Sequence, residues 1–350
     1  MTGMRGSNAS YIYVGTRMRV RKSKLLPKED YLRMLNMSIP EITRSIEEME
    51  YKREIDEMSG SFSGIDLLEM ALSWNLAKEY QRILTITTGS IKEFTAAYLR
   101  RWDIQNVLNI LRGKFQGAKP GKIREILIPA GELDKASLDR LVMEDSPERV
   151  VEALKGSKMY PVLVRELPVA QQTKSLSRLE NELYKQFYAK LLDGSKGVKG
   201  GELFANYVKL DIDITNIRNL FRLRADIVDT DVRDLMVEGG TFSIEELQRL
   251  HGISSQTEFI DAILAKMRVK PLIAVLDTLR NEKSIRDIEI DLIRVQLEQM
   301  ERMSKLNPFS IHPVLVYLEQ KKYEVFNLRA IARGKESQLP ADRIKGYLVM

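Results

Sequence analysis

A twelve-residue pattern that occurs three times constrains the fold of this 350-residue chain more than any other feature. Each copy reads acid-x-x-Asn-aliphatic-x-x-aliphatic-x-Arg-x-base, and the asparagines Asn106, Asn216 and Asn327 lie 110 and then 111 residues apart. The acids that begin the copies are Asp103, Asp213 and Glu324. This interval is far longer than the repeat of a solenoid protein. The pattern therefore predicts three copies of a small domain.

Each copy has the pattern of one amphipathic helix with its Asn in the apolar face. The residues four positions before and after the Asn are apolar in all three copies, and such positions share a helix face. A buried amide costs free energy unless its hydrogen bonds are made. We therefore favour an Asn that ties its helix to the backbone of a neighbour, with ligand binding as the alternative. The Arg six residues after each Asn faces elsewhere and is expected to be solvated or salt-bridged.

Other positions repeat at nearly the same interval. Gly131 and Gly240, which lie in predicted turns after the motif, are 109 residues apart, and so are Leu138 and Leu247. Agreement at several positions besides the Asn supports a triplication of the whole unit. Because almost no segment alternates with the two-residue period of a strand, the predicted fold class is all-α.

The third unit is predicted to be split between the two ends of the chain. The turn and the short Leu-x-x-Leu helix do not follow the third motif, but residues 28–51 contain matching helices, with Leu32 and Leu35 in the corresponding positions. The split implies that the three units close on themselves with pseudo-threefold symmetry. The predicted units are 61–170, 171–275, and 276–350 together with 11–60, while residues 1–10 are predicted to be disordered.

The composition fits a globular chain and excludes several classes of site. The absence of cysteine removes disulfides, thiol nucleophiles and zinc–thiolate sites. The only two histidines, His251 and His312, precede Gly252 and Pro313 and are expected at helix ends or in loops, which disfavours a metal site or a catalytic triad. No apolar run approaches about 18 residues, and the N-terminus lacks the apolar core of a signal peptide. Neither a membrane span nor a leader is predicted.

The charge distribution suggests an anionic partner. The net charge is +6 and the isoelectric point is about 9.2, which would suit a nucleic acid, a membrane surface or an acidic protein. A cluster of basic residues without an intervening acid lies near the N-terminus, and we call its members Arg17, Arg19, Arg21, Lys22 and Lys24 the basic patch. Two interpretations of the patch stay open: it faces phosphate or an acidic partner, or it is a solvated helix face.

No motif predicts catalysis. The segment from Gly117 to Ile123 superficially resembles a phosphate-binding loop, but it has three residues between its glycines instead of four and no Ser or Thr after its Lys. The carboxylates do not form a convincing acid–base pair. The sequence therefore predicts no catalytic residue, no cofactor-binding residue and no metal ligand. The protein is not expected to be an enzyme.

Two segments near the ends of the chain are the most specific in its sequence. They are Tyr11-x-Tyr13-x3-Arg17-x-Arg19 and Pro313-x3-Tyr317-Leu318-x2-Lys321-x2-Glu324-x2-Asn327-Leu328-Arg329-x-Ile331. With these segments the chain resembles the C subunit of the archaeal and bacterial A/V-type ATP synthases and is similar to the d subunit of the eukaryotic V-ATPase. The resemblance extends over residues 11–350, and in the closing segment Lys322 stands where the family often has Glu.

This resemblance implies a closed trimer of helical domains and a non-catalytic role as an adaptor. By implication the chain is a peripheral membrane protein on the cytoplasmic side of the cell membrane. Its expected partners are the proteolipid subunits of the rotor ring and the subunits of the central stalk, between which it transmits torque during proton- or sodium-coupled ATP synthesis or hydrolysis. The resemblance implies no cofactor, no nucleic acid and no small-molecule substrate.

Two other classes of function remain as alternatives. A basic helical protein that binds nucleic acid would gather basic residues and exposed stacking aromatic side chains on one face, yet aromatic residues make up only 7% of this chain. A scaffold protein without a ring partner would show the same helical pattern. An enzyme is disfavoured because the sequence lacks a catalytic set.

Overall fold

The computed structural model describes residues 8–225, 232–267, 269–280 and 285–350. Every regular element within these ranges is an α-helix, so the all-α prediction is confirmed. None of the helices in the described ranges combines the length and apolar character needed to cross a lipid bilayer. Most of the buried apolar side chains belong to one continuous core.

Twenty helices account for these elements. The first eleven are α1 (Asn8–Lys22), α2 (Lys28–Met34), α3 (Ile39–Glu47), α4 (Lys52–Met58), α5 (Gly64–Ile86), α6 (Gly89–Leu99), α7 (Arg101–Phe115), α8 (Pro120–Glu125), α9 (Lys135–Met143), α10 (Pro147–Ala153) and α11 (Tyr160–Thr173). The other nine are α12 (Ser177–Gly194), α13 (Gly201–Ala225), α14 (Val232–Leu235), α15 (Ile244–His251), α16 (Gln256–Lys266), α17 (Lys270–Thr278), α18 (Ile285–Leu306), α19 (His312–Glu336) and α20 (Ala341–Lys345).

Local capping explains where several short helices begin. At the start of α15, the Ser243 hydroxyl accepts from the backbone N–H of Glu246 at 3.3 Å, and the Glu246 carboxylate accepts from the backbone N–H of Ser243 at 2.8 Å. This reciprocal arrangement satisfies two donors that a helix start leaves free. Asp134 caps α9 by accepting from the backbone N–H of Ser137 at 2.8 Å.

The three motifs lie on three long central elements. The second and third motifs belong to α13 and α19, each an unbroken helix of 25 residues. The first motif lies on α7, which an interruption at Arg100 separates from α6.

The N-terminal helices pack against the last long helix, as the split-unit prediction requires. Helices α1, α2 and α3 all contact α19. The backbone N–H of Leu26 donates to the carboxylate of Glu324 at 2.7 Å, and the hydroxyl of Tyr51 donates to the same carboxylate at 2.5 Å. The two ends of the chain therefore share one packed region.

Several boundaries differ from the sequence predictions. Residues 1–7 lie outside the described residues, whereas residues 8–10, also predicted to be disordered, form the first turn of α1. Helix α11 holds Pro168 in its interior, where sequence reasoning expects a helix to break.

Candidate functional site

The three motif asparagines make the same pair of hydrogen bonds. Each is buried, and each exchanges two bonds with the backbone of one residue 21 or 22 positions later. The side-chain nitrogen of Asn216 donates to the carbonyl oxygen of Val237 at 2.8 Å, and its oxygen accepts from the Val237 N–H at 2.8 Å. The other two pairs are Asn106 with Ile128 and Asn327 with Val349. These bonds support the structural interpretation of the Asn.

We expect Asn216→Ala to lower the free energy of unfolding by about 1–3 kcal/mol, because it leaves the Val237 N–H and carbonyl without partners in the core. Urea denaturation monitored by circular dichroism measures the change. Asn206→Ala is the matched control, since Asn206 is an exposed residue of the same helix. An unchanged midpoint for Asn216→Ala would favour the ligand-binding alternative.

The motif acids bind the backbone of the turn that follows each motif. Asp103 accepts from the N–H groups of Glu132 and Leu133 at 2.8 and 2.9 Å. Asp213 accepts from the N–H and hydroxyl groups of Thr241, both at 2.6 Å. Burial raises the pKa of Asp103 to about 6 and raises the pKa of Asp213, although hydrogen bonds from the turn act in the opposite direction. The acids therefore hold the turns at an electrostatic cost.

In the third motif the acid reaches the opposite end of the chain. Glu324 accepts from the N–H of Leu26, from the Tyr51 hydroxyl and from the Lys321 ammonium, the last at 2.6 Å. The backbone N–H of Leu26 thus donates to Glu324 as the backbone N–H of Leu133 donates to Asp103. The turn was expected to be absent after the third motif, but Val349 supplies its first part and Leu26 its acid-binding part.

The turn glycines lie against the motif acids too closely for any side chain. A Cβ atom at Gly131 would be 2.2 Å from Asp103 Oδ1, and one at Gly240 would be 2.3 Å from Asp213 Oδ1. The repeat of Gly131 and Gly240 in the sequence therefore follows from the close approach of the turn to the acid.

We expect Gly131→Ala to destabilise the protein by about 1–3 kcal/mol, because the added methyl group must displace a carboxylate or the turn. Gly121→Ala is the control, since a Cβ there has no atom within 4 Å. Thermal unfolding of both variants distinguishes the two environments. Equal melting temperatures would contradict the close packing of the turn on Asp103.

A buried ionic network connects α7, α13 and α19. Arg101 lies 3.0 Å from Glu319 and 3.4 Å from Asp211, and Lys322 lies 2.5 Å from Glu319. The Tyr98 hydroxyl donates to Glu319 at 2.8 Å. Burial acts to raise the pKa of Glu319, but the Lys322 and Arg101 cations hold it below its usual value. Two cations and two carboxylates therefore compensate each other.

The second carboxylate of this network has additional donors. Asp211 accepts from the Tyr188 hydroxyl at 2.8 Å and from the side-chain nitrogen of Gln296 at 2.5 Å. Helices α12 and α18 thereby join the network of the three motif helices. Lys322, two residues before the acid of the third motif, takes part in a salt bridge with Glu319.

The arginines of the three motifs make ion pairs with three other long helices. Arg112 of α7 lies 3.7 Å from Glu180 of α12, and Arg222 of α13 pairs with Glu289 of α18. Arg333 of α19 binds Glu69 of α5 through two nitrogens, at 2.5 and 3.0 Å. The acids Glu69, Glu180 and Glu289 are themselves about 110 residues apart. The expectation of salt-bridged arginines is thus confirmed.

The members of the basic patch differ in whether they pair with an acid of the chain. Arg21 pairs with Glu79, Lys22 with Glu301 and Lys24 with Glu50, so three of its cations have partners within the chain. Arg17 donates to the Tyr13 hydroxyl at 2.7 Å and is exposed, as is Arg19. The patch therefore does not present five free cations on one face.

The described residues contain no group of acids or histidines arranged to hold a metal ion. His251 ends α15 and His312 begins α19, as the sequence predicts. His312 is buried against the carbonyl oxygen of Leu203 at 3.0 Å, and burial lowers its pKa. The hydrogen bond of its ring goes to a backbone carbonyl and not to a carboxylate, which does not suit a catalytic triad.

The ionic network was not predicted from the sequence, although a signal was present. Arg101, Asp211 and Lys322 each lie five residues before a motif Asn. A charged residue at the same position of all three copies, next to an apolar one, indicates ionic partners inside the protein. The identity of those partners depends on helix packing, which the motif alone does not specify.

Comparison of the sequence with known proteins places this chain among the subunits of ATP synthases. The family model described as ATP synthase (C/AC39) subunit matches residues 14–347. The C subunit of the A-type ATP synthase of Methanosarcina mazei is 39% identical, covering 98% of this chain and 94% of the relative. The C subunit from Methanosarcina acetivorans is 41% identical over 98% and 93% of the two chains. That of Archaeoglobus fulgidus is 33% identical over 99% and 98%.

Proposed function

Because this chain belongs to the ATP synthase (C/AC39) subunit family, we propose that it joins the rotor ring of a rotary ATPase to the central stalk. The family assigns it to a non-catalytic subunit of the complex. In the proposal it lies on the cytoplasmic side of the membrane, and its partners are the ring proteolipids and the stalk subunits. It transmits torque between them during ATP synthesis or hydrolysis.

The proposed role requires a body that resists twisting. We propose that the units 61–170, 171–275, and 276–350 with 11–60 close into a ring with pseudo-threefold symmetry. The cyclic order of the Arg–Glu pairs supports this arrangement, because α7 binds α12, α13 binds α18, and α19 binds α5. The joint between the two ends of the chain is reinforced by Glu324. Superposition of the three motif helices by rotations near one third of a turn is the geometric test.

Contacts with a ring of many identical subunits should be polar and should tolerate changes in alignment. The reason is that three units cannot match the symmetry of a ring of another order. Exposed ion pairs are screened over about 8–10 Å at physiological salt. We propose that Arg17 and Arg19 are the members of the basic patch that face a partner, since both are exposed. The paired members Arg21, Lys22 and Lys24 stabilise the chain itself.

A pull-down from detergent-solubilised membranes tests this function. We expect ring and stalk subunits to be recovered with the chain, and their recovery to fall as salt rises. The combined Arg17→Glu and Arg19→Glu reversal should weaken recovery more than either single reversal, with Arg149→Glu as an exposed control. Absence of ring and stalk subunits at every salt concentration, or ATP turnover by the isolated chain, would contradict the proposal. If the recovery of ring and stalk subunits does not change with salt concentration, the polar contact would be contradicted.

A further inference from the structure

A cleft of about 460 Å³ opens between α1, α5 and α19. Its walls carry two carboxylates, Glu50 and Glu79, and a larger number of cations. The cations are Arg17, Arg21, Lys24, Arg82 and Lys321. The cleft, which we call the basic cleft, therefore has an excess of positive charge and favours an anion.

Two arginines in the basic cleft have weaker compensation from carboxylates than its other cations. Glu79 is already engaged by the Arg21 guanidinium and by the Tyr317 hydroxyl at 2.8 Å. Arg82 approaches the other oxygen of Glu79 only to 3.7 Å and is half exposed. Within the described part of the chain, no carboxylate lies within 4 Å of Arg17, whose guanidinium donates to the Tyr13 hydroxyl.

The remaining cations of the basic cleft are compensated. Lys24 pairs with Glu50 at 2.8 Å, and Lys321 lies 2.6 Å from Glu324. Arg17 on α1, without a carboxylate partner among the described residues, and Arg82 on α5, which shares Glu79 with Arg21, are thus the least compensated cations of the cleft. Guanidinium groups suit phosphate because their planar donors match its oxygens.

The basic cleft also contains an acceptor that lacks a donor. Asn75 lines it and is 7% exposed, and its side-chain nitrogen donates to the Glu50 carbonyl and to the Glu54 carboxylate, both at 2.9 Å. These two bonds fix the orientation of the amide. Its Oδ1 atom is enclosed and has no partner among the described residues. A buried acceptor without a donor is costly, so a ligand that brings an O–H or N–H group would be favoured there.

We propose that the basic cleft binds a phosphate ester that carries a free hydroxyl group, with glycerol phosphate as the simplest form. The phosphate would lie between Arg17 and Arg82, and the hydroxyl would donate to Asn75 Oδ1 after the side chains that enclose this atom move aside. The cavity volume falls within the range of about 300–1,000 Å³ that small-molecule sites occupy. This ligand goes beyond the adaptor role, since it is bound by the isolated chain without ring or stalk. Because Arg17 is also proposed to face a partner, ligand and partner would compete for its guanidinium in the assembled complex.

Titration calorimetry with sn-glycerol 3-phosphate tests the site on the isolated full chain. Arg17→Gln and Arg82→Gln should each weaken binding at least about tenfold, because each removes a charge-assisted hydrogen bond to the phosphate. Arg149→Gln, an exposed arginine outside the cleft, should bind like the parent. Methyl phosphate, which lacks the hydroxyl, should bind more weakly than glycerol phosphate.

Two further arms distinguish the source of the ligand. If the soluble ester binds and phosphatidylglycerol vesicles do not retain the chain, the ligand is a free metabolite. If the vesicles also retain it, and Arg17→Gln releases it, the ligand is the lipid headgroup. Absence of binding in both arms, binding by both arginine variants as tight as that of the parent, or exclusive binding of an acidic peptide would overturn the proposal. Circular dichroism of each variant confirms that the fold is intact.

Discussion

We expect Arg101→Met to lower the free energy of unfolding by about 3–5 kcal/mol, the usual cost of removing one partner from a buried ion pair. The guanidinium faces both Asp211 and Glu319, and its side chain is only 14% exposed. Methionine preserves the bulk of the side chain but not its charge or donors. Lys322 would remain beside Glu319, but Asp211 would keep only the neutral donors Tyr188 and Gln296.

The neighbouring arginine provides a matched control for this substitution. Arg100 pairs with Glu132 at 2.6 Å, but its side chain is one-third exposed and that of Glu132 is more than half exposed. Surface pairs of this kind contribute about 0–1 kcal/mol. Arg100→Met should therefore have a much smaller effect in urea denaturation. Equal losses for the two variants would show that the central network does not depend on the charge of Arg101.

The repeat in the sequence predicted the helices and the role of their asparagines, because both depend on local patterns. A constant spacing of Asn106, Asn216 and Asn327 requires the same environment in each copy. A polar amide in an apolar stripe requires a nearby partner, and the backbone of the following turn provides one. The turn glycines could be recognised from spacing alone, but their contact with the motif acids required the packed structure.

Contacts between distant segments could not be predicted in the same way. The partner of Arg333 is Glu69, at the other end of the sequence, and many acids of the chain could have filled that role. Likewise, the basic patch was defined from the absence of nearby acids in the sequence. Helix packing brings Glu50, Glu79 and Glu301 to it from later segments and neutralises three of its members.

Local exceptions to helix signals account for the remaining differences. The interruption at Arg100 has no glycine or proline to mark it, and we have no physical account of why the first motif helix is divided while α13 and α19 are continuous. Helix α11 tolerates Pro168 because tertiary packing of its buried side chains stabilises it. Local helix propensity therefore does not predict α11, because tertiary packing stabilises this helix.

The motif acid Asp103 should make stability depend on pH in the direction opposite to most paired carboxylates. Burial raises its pKa from an ordinary value of 3.8 to about 6 in the folded chain, so the folded state binds the proton more tightly than the unfolded state. The resulting stabilisation is fully present below the unfolded pKa and is lost as the pH rises through about 6. A shift of this size corresponds to about 3 kcal/mol.

We therefore expect the stability of the parent relative to Asp103→Asn to fall by about 2 kcal/mol between pH 4 and pH 7, whatever constant difference the amide introduces, since the rest of the change lies below pH 4 and above pH 7. Urea denaturation of both proteins at four pH values across this window measures the difference. Asp213→Asn should show the same sign, because burial also raises the pKa of Asp213.

Asp134→Asn provides a control of opposite sign. Hydrogen bonds from Ser137 lower the pKa of this helix cap, so its stabilisation is present above its ordinary pKa and is lost as the pH falls. The parent should therefore gain stability relative to Asp134→Asn as the pH rises from acid.

If instead the stability curves for Asp103→Asn and the parent run parallel from pH 4 to pH 7, then the Asp103 carboxylate is as well stabilised in the fold as in water. The turn N–H groups of Glu132 and Leu133 would in that case offset its burial completely.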